Sequence, residues 1–293
     1  MTRERSEYTI QNPCEVAGRG YWSGQAISVR FLPAPAQTGI VFVRTDLPDR
    51  PRIPALVDYR ESMSLRTVLC NADGVAVAMV EHLMAALVGN GIDNCIVEVS
   101  AEEMPGLDGS AAEFANAIQG AGRLEQDAVV TPYVVDRVIR LGTAASWIEA
   151  SPVSGDFLNV EYQLDYGDQP IPAQEFSFDL VDSQSFCREL APARTFVTSD
   201  QAEQLRSQGI ASHVTARDLL IFSANGVVDN TLHFENECAR HKALDMVGDL
   251  ALAGFPLIGR FVSNRGGHEL NAEMARKLRS LRLRENPGYR MTA

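Results

Sequence analysis

Within Arg240-His241-Lys242-Ala243-Leu244-Asp245, an imidazole and a carboxylate stand four residues apart in a strongly helical stretch. Side chains at i and i+4 share a helix face, so His241 and Asp245 can converge on one ion. Zinc suits such a pair: it takes imidazole nitrogen and carboxylate oxygen at about 2.0–2.2 Å, and a catalytic site uses three protein ligands and leaves the fourth position to water. A third ligand must come from elsewhere. The chain has five histidines (His82, His213, His233, His241 and His268), and His82 is the best candidate, because Glu81 lies beside it in the otherwise apolar segment from Val75 to Val88. A buried carboxylate is costly unless paired, protonated or near a metal. Glu81 is therefore a candidate base for the water at such a site. Spacing alone leaves a plainer reading open, since an i,i+4 His/Asp pair is also an ordinary hydrogen-bonded surface pair.

The 293 residues, 45% of them hydrophobic, suffice for substantial cores and suggest about two domains. A net charge of −12 argues against nonspecific nucleic-acid binding, so a phosphate-bearing ligand must meet a local cluster of cations. Arg276-Lys277-Leu278-Arg279-Ser280-Leu281-Arg282-Leu283-Arg284 is one, with Met274, Leu278 and Leu281 at helical spacing. It could attract a diphosphate, touch an anionic membrane from the side, or be the solvated face of a terminal helix. No apolar run approaches the roughly 20 residues of a membrane span, and Met1 to Glu7 has no apolar signal core, so a cytoplasmic protein is expected. Cys14, Cys70, Cys95, Cys187 and Cys238 are odd in number, without a C-x-x-C spacing, and read as reduced core residues.

Tyr8 to Arg44 reads as strands, with Ala26–Phe31 alternating and Gly39–Arg44 a buried run. Gly18, Gly20 and Gly24 match neither the Rossmann nor the P-loop spacing and mark a tight connection. A helix is expected over Ala78–Leu87, ending near Gly89-Asn90-Gly91, followed by a strand at Cys95–Val99. Ser110-Ala111-Ala112-Glu113 has capping-box spacing, which makes Ser110 an N-cap before a second helix. The polar stretch Leu124–Asp127 reads as a linker, after which strands resume at Val129, Trp147–Ala150 and Phe157–Tyr162. A capped helix near Asp200–Gln208 precedes a long one from about Asn236 to Ala253, closed by Gly254 and Pro256. Each half thus offers a sheet and an apolar helix carrying part of the proposed metal site. The expected fold is α+β, two similar domains of sheet layers packed with helices, residues 1–126 and 127–293, with the active site between them.

Taken together, these residues resemble the UDP-3-O-acyl-N-acetylglucosamine deacetylases, zinc enzymes of lipid A biosynthesis. The resemblance spans most of the chain and rests on five ordered matches: Val80-Glu81-His82-Leu83-Met84-Ala85-Ala86-Leu87 with Gly91-Ile92-Asp93-Asn94; Leu107-Asp108-Gly109-Ser110-Ala111-Ala112; Ala193-Arg194-Thr195-Phe196; Arg240-His241-Lys242 through Asp245 to Gly248-Asp249; and Gly267-His268-Glu269-Leu270-Asn271. It implies that His82, His241 and Asp245 hold zinc and that Glu81 is the general base. By the same resemblance, His268 as imidazolium supports the oxyanion and protonates the leaving amine, Asp249 orients it, and Thr195 donates a hydroxyl to the oxyanion. Lys242 and Phe196 are placed near the substrate, and Arg265 is a phosphate candidate. The implied partner is an acylated UDP-N-acetylglucosamine, met by a monomer with at most peripheral membrane contact. Fe(II) is a possible occupant of the same imidazole and carboxylate ligands.

Three places depart from the family's pattern. Trp22 stands where histidine is usual, Met79 where a hydroxyl residue is usual, and His213-Val214-Thr215 where a Gly-Gly-Ser turn is usual. They leave acyl-chain preference open and motivate a rival reading, a noncatalytic or substrate-shifted paralogue that binds a nucleotide sugar. A Ser110/His268/Asp249 hydrolase is a third reading, weakened because Ser110 lacks the G-x-S-x-G elbow.

Overall fold

The alternation of Ala26–Phe31 becomes a strand because Ile27, Val29 and Phe31 share one face and are buried together. In the computed structural model, which describes residues 4–63, 65–168 and 170–286, the first half of the chain forms a five-stranded sheet. Its order is Cys14–Arg19, Ala26–Pro33, Cys95–Val99, Ile40–Arg44, Arg52–Pro54. The second half forms a sheet in the order Ile139–Gly142, Trp147–Ser151, Leu257–Asn264, Leu158–Leu164, Gln174–Leu180, with the short Tyr133–Val134 added parallel to Leu257–Asn264. In both sheets the last of the five strands takes the centre, antiparallel to the second and parallel to the third. The two halves share one topology, as the sequence pattern suggested.

The helices repeat in the same way. The central strand is flanked in sequence by α1 (Glu81–Gly89) and α2 (Ala112–Ala121) in the first half. Beyond α3 (Ser183–Glu189) and α4 (Ser199–Ser207), the central strand of the second half is flanked by α5 (Glu237–Ala251) and α6 (His268–Glu285). The counterparts α1 and α5 pack on each other between the sheets. From Ala243 to Leu250 every residue of α5 is buried, as expected of a helix enclosed on all sides. At the crossing a Cβ on Gly248 would lie only 2.0 Å from the carbonyl oxygen of Glu81, so glycine alone permits this approach.

Each half also carries an insert between its fourth strand and its enclosed helix. The first insert is a small sheet of Arg60–Glu61, Val68–Cys70 and Ala76–Ala78. The second holds α3, α4 and the sheet Phe196–Thr198, Leu220–Ser223, Gly226–Val227.

Three local expectations need correction. The helix expected from Ala78 starts at Glu81, because Ala76–Ala78 pairs with Val68–Cys70 and Met79 then takes φ 61°, a left-handed turn that cannot continue a helix. Ser110 is not an N-cap: the helix begins at Ala112, and the Ser110 hydroxyl donates to Asp108 Oδ1 at 2.7 Å while accepting from the Ala112 amide at 3.1 Å. The Leu124–Asp127 stretch, expected as a linker, lies inside the strand Arg123–Val130 and pairs antiparallel with Arg5–Ile10; its polarity reflects an exposed ribbon face.

Because the close crossing depends on the missing side chain, Gly248→Ala should force α1 away from α5 and destabilise the fold by about 1–3 kcal/mol. Chemical denaturation reads the effect directly, and a variant as stable as wild type contradicts the tight crossing.

Candidate active site

The left-handed turn at Met79 sets Glu81 and His82 in the first turn of α1, where a carboxylate also gains from the helix dipole. On the facing helix α5, His241 and Asp245 project toward them. The ligand atoms of His82, His241 and Asp245 all lie within 4.8 Å of one another, and all three residues are buried. Asp245 Oδ1 is 3.6 Å from His82 Nε2 and 3.4 Å from His241 Nε2. His241 Nδ1 lies 3.0 Å from the carbonyl oxygen of Ala193, an acceptor, so that nitrogen carries the proton and Nε2 presents its lone pair. Burial lowers the His241 pKa to about 3, against the pull of Asp245, which keeps the ring neutral. Asp245 Oδ1 has no hydrogen-bond partner among the described residues although it is buried. A buried carboxylate oxygen left bare between two imidazole rings, of which His241 presents its lone pair, is the donor set of a divalent cation such as zinc, and the residues fit one.

Around this cluster lies a second layer of charge. Lys242 Nζ donates to Asp245 Oδ2 at 2.9 Å. Burial opposes the Asp245 charge, but His241 and Lys242 hold its pKa well below the usual carboxylate range. His268, the first residue of α6, is buried. Its Nδ1 donates to Asp249 Oδ2 at 2.8 Å. Burial alone would strip its proton, yet Asp249, Asp245 and Glu81 together raise its pKa to about 9. Asp249 is itself fixed by Asn271 Nδ2 at 2.9 Å and by the Thr67 hydroxyl at 2.5 Å. The Thr67 amide donates to Glu81 Oε2 at 3.0 Å, so this threonine ties two of the site's carboxylates together. Desolvation raises the Glu81 pKa, partly offset by His268 and His82.

The two inserts wall a cavity of about 720 Å³ that opens onto these groups. Thr195 and Phe196 line it from the second insert. Thr195 is held by backbone bonds to Gly109 and Leu220, and a Cβ on Gly109 would approach its methyl at 3.0 Å, so the Leu107–Ala112 motif supports a residue of the other half. Phe196 sits edge-on to His241 with ring centroids 6.2 Å apart. Arg194, just before it, is buried in a fork to Glu237, with Nε to Oε1 at 2.8 Å and Nη2 to Oε2 at 3.1 Å. That pair clamps the insert onto α5.

A family model described as LpxC, UDP-3-O-acyl N-acetylglycosamine deacetylase, matches residues 7–280. The chain belongs to this deacetylase family. Relatives named UDP-3-O-acyl-N-acetylglucosamine deacetylase in Brucella ovis, Brucella abortus and Brucella suis are each 39% identical over 274 residues, 93% of this chain and 94% of theirs. Of the residues singled out by the resemblance to the deacetylases, Glu81, His82, Thr195, Phe196, His241, Lys242, Asp245 and His268 all line the one cavity, and Asp249 backs it through His268. Arg265 does not line it and instead pairs with Asp165 at 2.7 Å. Three of the five cations in the basic stretch of α6 are also engaged elsewhere: Arg276, Arg279 and Arg282 bond to Arg60 O, Asp58 and Thr131 O. Ser110 is buried against Asp108 and makes no bond to His268. Among the departures from the deacetylase pattern, Trp22, Met79 and Val214 line the cavity, and His213 Nε2 bonds the carbonyl of Gly20 at 2.8 Å.

Thr67 carries no readable motif and is the functional neighbour that sequence reasoning misses. Asp245→Ala should abolish tight metal binding while leaving the fold intact, checked by metal content after gel filtration; a full complement of bound metal contradicts the assignment. Arg194→Ala, which leaves the Glu237 charge buried and unpaired, should cost about 3–5 kcal/mol in chemical denaturation.

Proposed function

We propose that this protein hydrolyses the acetamide of a UDP-3-O-acyl-N-acetylglucosamine and releases acetate, a step of lipid A biosynthesis, using a zinc ion held by His82, His241 and Asp245. The observation that carries the reading is the bare Asp245 Oδ1, buried among two imidazoles with no other partner among the described residues. Fe(II) suits the same ligand types, and the choice of metal rests on reconstitution. When bound, the ion supplies a Lewis acid that polarises the amide carbonyl and lowers the pKa of water.

The remaining chemistry belongs to side chains. Glu81 takes the proton of the attacking water; its raised pKa brings it toward working pH, where a general base is most effective. As the new C–O bond forms and the C–N bond breaks, His268 supports the oxyanion and gives its proton to the leaving amine. Asp249 fixes the ring so that Nε2 faces the cavity, with Nδ1 held by the carboxylate. The Thr195 hydroxyl donates to the developing oxyanion, a contact worth about 2.7–4 kcal/mol where measured in other enzymes. Phe196 and Lys242 contact the substrate, and Arg265 exchanges Asp165 for a phosphate of the nucleotide. We assign the reaction to the cytoplasm. Two observations support that assignment: the cysteines are free, and no helix among the described residues is long and apolar enough to cross a membrane.

Glu81→Ala should retain the metal but lose at least about 100-fold in turnover; wild-type activity in that variant removes Glu81 as the base. His268 is charged below its raised pKa, so turnover should fall as pH rises through about 9. Asp249→Asn withdraws the largest stabilising charge and should move that limb toward 6.5. A pH–rate profile of both proteins tests this, and a limb unmoved in the variant contradicts the pairing.

A further inference from the structure

Arg66 and Trp22 meet on the wall of the active-site cavity. The guanidinium carbon lies 3.9 Å from the centroid of the Trp22 ring, a stacked cation–π geometry. Among the described residues Arg66 makes no hydrogen bond or ion pair, and its Nε is buried without a partner. A partly desolvated guanidinium with idle donors is costly unless something else completes it. The platform is rigid: the Trp22 and Ser23 amides donate to Glu103 at 3.1 and 2.7 Å, which fixes the turn that carries the ring. Stacking holds the planar fork with its N–H edge free, the arrangement that suits arginine and not lysine for oriented recognition.

Position narrows what this edge can meet. On one side, Thr67 follows Arg66 directly and binds Glu81. On the other, Tyr21 precedes Trp22 and packs against the apolar cluster of Val214, Leu219 and Ile221, two of which line the same cavity. Arg66 therefore stands between the reacting groups and an apolar recess. Resting on the deacetylase reading above, we infer that Arg66 is a specificity residue whose N–H groups bind the ester carbonyl oxygen joining the acyl chain to the hexose, with Trp22 as its positioning residue.

The test compares kcat/KM for an acylated UDP-N-acetylglucosamine and for the same sugar without the acyl chain, in wild type, Arg66→Met, Arg66→Lys, Trp22→Ala and the double variant Arg66→Met/Trp22→Ala. Arg66→Met should lower the ratio between the two sugars at least about tenfold, through KM, with metal content and melting temperature preserved. Arg66→Lys should recover part of the loss, and Trp22→Ala should add little once Arg66 is gone. An unchanged ratio in Arg66→Met, or an equal loss on both sugars, overturns the inference. If wild type hydrolyses neither sugar, the deacetylase reading fails instead; calorimetric binding of the acylated sugar to wild type and Arg66→Met then judges Arg66 by the same tenfold criterion.

Discussion

The close crossing of α1 and α5 at Gly248 is the constraint on which the rest depends. Each half repeats the same five-strand order and places one enclosed helix against its sheet. Packing those counterpart helices on each other puts the first turn of α1 beside the middle of α5, and only then do His82, His241 and Asp245 meet. The missing side chain at Gly248 lets the Glu81 backbone approach and sets how far apart the ligand atoms stand. The matching inserts then wall the crossing, so the repeat generates both the His82, His241 and Asp245 cluster and the cavity over it.

The electrostatics of the site follow from burying more charge than a core tolerates. Glu81, Asp245, Asp249 and His268 are buried, with the half-buried Lys242 beside them, an arrangement that rarely adds stability by itself. Each has a specific partner instead: Asp245 has Lys242, Asp249 has His268, Asn271 and Thr67, and Glu81 has the Thr67 amide. The consequence is a separation of pKa values: burial keeps His241 neutral, while at His268 the charge of Asp249 outweighs burial and keeps the ring protonated. Such divergence between two histidines of one cavity marks a candidate functional site.

Much of this was legible in the sequence. The i,i+4 spacing of His241 and Asp245, and Glu81-His82 within an apolar run, expose the cluster because charge in such contexts needs a purpose. The repeated α+β halves follow from strand and helix periodicity. What stayed hidden depends on contacts between distant segments. Met79 looks like one more apolar helix residue until its left-handed turn delays α1. Leu124–Asp127 looks like a linker because a strand in an exposed ribbon has little apolar face to reveal it. Thr67 and Arg66 carry no motif, and their roles arise only when the first insert folds over α1. Arg265 stands where a phosphate ligand is expected, yet the fold provides it with Asp165.

The central claim is tested most directly by acetate release from an acylated UDP-N-acetylglucosamine, measured on chelator-stripped protein and on the same sample after zinc is restored. The predicted result is turnover that vanishes on stripping and returns with one equivalent of zinc per chain. Turnover that survives stripping, or a folded and zinc-loaded protein that releases no acetate, contradicts the role given to His82, His241 and Asp245.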